Sequence, residues 1–196
     1  MRVTGFFLGL LAAFGVAQAR VAPSDIKGLV AVSDVIVIAR VDRVEKIEGV
    51  PVVVLAVERT LKGPESKTWG LLLTSHWVCD ISTAVPGERG LFLLEPWRKG
   101  REDTLESVPP RLTEQLAARG LGLPHGITHR GRGRMPLRVV GGMEHVAVYG
   151  DVAFPTDLQP AVVETPSKRD HGWVRSVPLD AMLEQVHALT SAPPLQ

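Results

Sequence analysis

The side chains best equipped for chemistry are six histidines, a single cysteine and a run of arginines. His125 and His129 stand four apart, the spacing that puts two imidazoles on one helix face, where they can share a metal. Pro124, Gly126, Thr128 and Gly131 break that helix, and no carboxylate neighbours the pair, so a loop is expected there. His76, Cys79 and Asp80 form a second cluster. Imidazole and thiolate together suit zinc, but a fourth ligand would have to come from elsewhere in the chain. As a nucleophile Cys79 would need His76 as its base, yet three residues apart on a strand the two side chains face opposite sides. No Gly-x-Ser-x-Gly elbow, phosphate-binding glycine loop or paired-carboxylate motif is recognisable. Structural roles are therefore favoured for these residues, and no catalytic set, metal or cofactor is expected.

Arg130, Arg132, Arg134 and Arg138, with Arg119 and His129 nearby, could neutralise several phosphates or sulfates of a polyanion. Surfaces that hold single-stranded nucleic acid usually interleave such charges with aromatic rings. This run has none, and a solvated basic loop is the plainer expectation. Trp69, Trp77, Trp97 and Trp173 could present a stacking face, but two of them fall at the ends of expected strands, where they would close the ends of a barrel.

The segments that must position these groups begin with an address. One positive charge at Arg2, an apolar run from Val3 to Val16 and the small-residue triplet Ala17-Gln18-Ala19 have the order of a secretory signal, with cleavage expected after Ala19. The run is shorter than the roughly 20 apolar residues of a spanning helix and is interrupted by Gly5, Gly9 and Gly15. With Cys79 the only cysteine, an N-terminal lipid anchor is not expected either. Loss of residues 1–19 removes Arg2 and leaves 21 basic and 21 acidic residues, so no global field draws the mature chain to nucleic acid or anionic lipid. One cysteine allows no internal disulfide, and Cys79 reads first as a buried small apolar residue, with an intermolecular bridge or a reactive thiol as the alternatives.

Residues 20–190 are expected to form one domain. Ser24-Asp25 caps a short helix that includes Ile26, Leu29, Val30 and Val32. The runs Val35–Ile47 and Val52–Leu61, joined by a turn at Glu48-Gly49, predict a long hairpin. Further strands are expected at Thr68–Ser75, Trp77–Ile81 and Gly90–Leu94. Residues 97–136 look like an inserted region, with a helix at Leu112–Arg119 and a mobile or partner-held loop at His125–Arg134. Strands return at Leu137–Val140 and His145–Phe154, and a polar, proline-punctuated stretch follows to Arg175. Leu179, Met182, Leu183, Val186 and Leu189 then line one face of a C-terminal helix over 178–190, and 191–196 read as a frayed tail.

Three segments carry a resemblance: Ser33 to Val41 (SDVIVIARV), Val57 to Pro64 (VERTLKGP) and Pro86 to Leu94 (PGERGLFLL). Together they resemble bacterial exported proteins related to the netrin-like, tissue-inhibitor-of-metalloproteinase-like group. The resemblance implies an OB-like five-stranded barrel with helices packed on it, in agreement with the strand count. The inhibitors of that group grip zinc through an N-terminal cysteine. The expected mature start here is Arg20-Val21-Ala22-Pro23, so metalloprotease inhibition does not carry over.

The expectation is thus a mainly β protein: an OB-like barrel with core strands in 33–96 and 137–154, a short N-terminal helix, an inserted loop and helix, and a C-terminal amphipathic helix. It would be exported to the periplasm or beyond the cell and would act as a non-enzymatic binding module for an unknown protein partner, with no membrane span once the signal is removed. The alternatives are an exported polyanion binder using Arg130, Arg132, Arg134 and Arg138, and a structural envelope-associated protein.

Overall fold

A computed structural model describes residues 24–72, 85–97, 109–129, 131–149, 152–164 and 173–191. The expected signal, His76, Trp77, Cys79, Asp80, Arg130 and the C-terminal tail from 192 lie outside them.

The longest elements are β2 (Val35–Ile47) and β3 (Val50–Lys62), paired antiparallel along their length. Their two-residue turn places both Glu48 (φ 51°) and Gly49 (φ 81°) in the left-handed region, the backbone twist that a tight hairpin requires. β4 (Thr68–Leu72) pairs with β3, and β5 (Arg89–Pro96) with the other edge of β2. β6 (His125–Ile127) completes the ring, parallel to β4 and antiparallel to β5. The result is a closed five-stranded barrel of OB-like type. Val37, Val41, Leu55, Leu71, Phe92 and Leu94 are among the side chains that fill it.

The alternate residues of β2 and β5 are buried as well. Ile36, Ile38, Leu91 and Leu93 point out of the barrel into a second core, which is why both strands read as nearly continuous apolar runs. That core lies beneath β7 (Arg134–Val140), β8 (Met143–Val148) and β11 (Trp173–Pro178), which continue the sheet from β5 and end at β10 (Ala161–Glu164). Helices α1 (Ile26–Val32) and α3 (Leu179–Ser191) close it. Asp25 caps α1 by accepting the Gly28 amide at 2.5 Å, and the Lys62 ammonium donates to the Val30 carbonyl at its other end. Leu179, Met182 and Val186 of α3 are buried, on the face read from their spacing.

β5 is the junction of the two halves. One edge holds β2. The other is divided, Gly90–Phe92 pairing with β7 and Leu94–Pro96 with β6. A short parallel pair, β1 (Ser24–Asp25) with β9 (Val152–Ala153), ties the start of α1 to the second half. Among the described residues no helix is long and apolar enough to cross a membrane.

Three placements differ from the sequence reading. The region taken as an insertion over 97–136 contains β6, a barrel strand, and the first residues of β7. The strands expected within 137–154 extend the sheet beyond the barrel rather than closing it. The polar stretch before Arg175 holds β10 and the start of β11. β6 has three residues and carries a glycine at its centre, too little for alternation to register, and Pro160 next to β10 imitates a break.

Candidate functional site

The arginine-rich turn between β6 and β7 is pinned at both ends to one residue of β5. The Thr128 amide donates to the Leu93 carbonyl at 3.0 Å, and the Leu93 amide to the Gly133 carbonyl at 2.8 Å. A Cβ at Gly133 would lie 2.5 Å from that same Leu93 oxygen, so only glycine permits so close an approach. The Thr128 hydroxyl also donates to Leu93 O, and Ser33 Oγ lies 2.7 Å from it. The two ends of the turn are thus bonded to the barrel wall.

Arg134, at its end, faces inward. Arg134 Nη2 reaches both carboxylate oxygens of Glu88, at 2.6 and 2.7 Å, with the two side chains only 6% and 8% exposed. Arg132 Nη1 donates to Ser24 Oγ at 3.1 Å, and Arg138 bonds the Leu137 carbonyl and the Tyr149 hydroxyl. The described members of the run are therefore engaged with separate parts of the protein and are not brought together as one solvent-facing patch.

The histidines part company in the same way. His125 is buried edge-on to the Trp69 ring, with Nδ1 on the Leu123 carbonyl and Nε2 3.2 Å from the Asp34 carboxylate. His129 sits at φ 48°, with its Nδ1 2.8 Å from Ser24 Oγ and its backbone amide on Glu95. Serine, imidazole and carboxylate meet here, with the Glu95 carboxylate accepting the histidine's main-chain amide. The described residues include no cluster of three metal-ligating side chains.

OB barrels commonly take ligands across their second and third strands, using the loop between the fourth and fifth. Here those strands are β3 and β4, and the corresponding connection supplies α2 (Leu112–Ala118), whose Leu112 and Leu116 pack with Leu121 on Val52, Val54 and Leu72. Gly70 leaves room for them: a Cβ there would stand 3.0 Å from Leu121 Cβ and 3.1 Å from a Leu116 methyl. The Gly70 amide also donates to the Leu121 carbonyl. The usual ligand face is thus occupied by the chain itself. Leucines at 112 and 116 announced the helix, but nothing local in the sequence shows which face it covers.

Uncovered apolar surface lies instead on the second half. Trp173 is 58% exposed and Val162 66%, and the register of β10 with β11 sets them diagonally on one face. That face carries Val177 into the core further along β11 and then runs out beyond the helices. At the other end of this half, Val139 and Met143 are each 63% exposed beside the β7–β8 turn. Arg89 joins the two halves at the surface, bonded to Glu58 of β3 and Glu144 of β8; the Glu58 bond raises its guanidinium above the ordinary pKa against the opposing effect of partial burial. Of the four tryptophans, Trp69 fills the barrel, Trp97 packs beside α2 and Trp173 stands in solvent, so the described three form no common stacking face.

Comparison of the chain with models of protein families, with curated proteins and with solved structures finds no match.

Proposed function

We propose that this chain is an exported, non-enzymatic interaction module that meets a protein partner at the β10–β11 corner. The exposed Trp173 beside Val162 carries the reading: a large aromatic next to an aliphatic on an uncovered sheet corner is the kind of anchor on which protein interfaces concentrate their energy. The occupied β3–β4 face supports it by directing partners away from the usual OB surface. The internal bonds of Arg132, Arg134 and Arg138 count against polyanion binding. Export rests on the order of charge, apolar run and small-residue triplet in residues 2–19. Kinship with the netrin-like group is part of the proposal at the level of scaffold alone; its three segments run along β2, β3 and the turn into β5.

A photo-crosslinking residue at Trp173, compared with one at Val44 on the barrel, tests the interface in cells that process the native chain. One discrete protein adduct at 173 and none at 44 is expected, with a mature N-terminus at Arg20. Adducts at neither position, together with salt-sensitive retention on heparin, would replace this reading with the polyanion one.

A further inference from the structure

We propose that the partner at the β10–β11 corner is a second copy of this chain, the two joined edge to edge along β10 about a twofold axis; the inference rests on that corner being the interface. β10 is the open end of the nine-stranded sheet, since β6 at the other end closes back onto β5. Its four residues pair with β11 on one side, and among the described residues no strand takes the other. Successive residues of a strand turn their amide and carbonyl to opposite sides, so this edge presents donors and acceptors at the strand repeat. Another extended main chain matches that spacing, which names the kind of occupant.

The residues along the edge select a copy of themselves. Side chains directly opposite in an antiparallel pair share a face, so a twofold axis normal to the sheet allows only registers that differ by steps of two residues. With Val162 opposite its own copy, Ala161 stands opposite Val163 and every pair within β10 is aliphatic. The two Glu164 carboxylates then lie four residues out of line, about 13 Å along the strand, and do not face each other. The neighbouring registers set Val162 against Glu164 or against Pro160, which has no amide hydrogen to give. Trp173 lies on the Val162 face, diagonal to it, so the preferred register makes one apolar row from Trp173 across both Val162 side chains to the second Trp173. That row covers the two large apolar side chains that one copy leaves in solvent at this corner. The contact uses the open edge of each copy and closes there, as an isologous interface does.

The test follows the mass of the protein, as the cell processes it, by sedimentation equilibrium across a range of concentrations. A reversible dimer is expected for the natural sequence. Val162→Lys and Val162→Glu each set like charges against one another at the axis and should weaken self-association about tenfold or more, with the thermal transition left in place. Mixing the two variants should restore the dimer, because lysine then meets glutamate, and that rescue belongs only to a contact of residue 162 with its own copy. A natural sequence that stays monomeric, a dimer that Val162→Lys leaves intact, or a loss in both variants without rescue on mixing overturns the proposal. A photo-crosslinking residue at Trp173 separates this outcome from the wider reading. An adduct of two copies supports both, whereas a monomer in sedimentation that yields an adduct with a different protein in cells overturns the second copy and keeps the corner as an interface.

Discussion

The barrel and the sheet appended to it are built from the same strand chemistry and treat their surfaces in opposite ways. In the barrel the hairpin strands β2 and β3 have thirteen residues each, and the face most open to ligands in such barrels is covered by Leu112, Leu116 and Leu121. Strands β8, β10 and β11 have four to six residues and leave apolar side chains in solvent at both ends of the sheet. Both halves hold a buried core, and the second also leaves Val139, Met143, Val162 and Trp173 largely exposed.

That division can be broken by substitution. The largest effect is expected in the barrel: Phe92→Ala should cost about 3–5 kcal/mol in urea unfolding, because it empties a fully buried site. If Trp173→Ala cost as much, that corner would belong to the core of the second half and the contrast would fail. Arg134→Ala should cost a similar ~3–5 kcal/mol by leaving the Glu88 carboxylate buried without its guanidinium. Replacing the pair together, Arg134→Met with Glu88→Leu, should recover most of that loss, which would mark the ion pair as a means of joining strand to turn rather than a net source of stability. The smallest effect belongs to Trp173→Ala, within about 0.5 kcal/mol in the same assay, while the crosslinked partner at this corner is lost.

Much of this was legible in the residues. The alternation through β2 and β3, the turn at Glu48-Gly49 and the buried face Leu179, Met182, Val186 are local patterns, and the structure realises them. β6 escaped because three residues cannot display a period, and its strand identity comes wholly from the edges of β4 and β5. The partners of the arginine run were not legible for a related reason. Spacing shows that Arg132, Arg134 and Arg138 share a segment but not that Ser24, Glu88 and Tyr149 wait for them from elsewhere in the chain. The exposure of Trp173 was equally invisible, since nothing near it in sequence records where the helices stop covering the sheet.

The divided edge of β5 has a consequence in time. During synthesis β2 precedes β5 and can dock on one side at once, but the other side has no partner until residues 125–136 have been made. Through that interval Leu91-Phe92-Leu93-Leu94 presents an open ladder of the kind on which nascent chains stick to one another. When Thr128 and Gly133 settle on Leu93, the ring closes and the second sheet is seeded at the same residue. Both halves thus depend on residues 125–136 for their closure, and a chain interrupted before Gly133 would lack it.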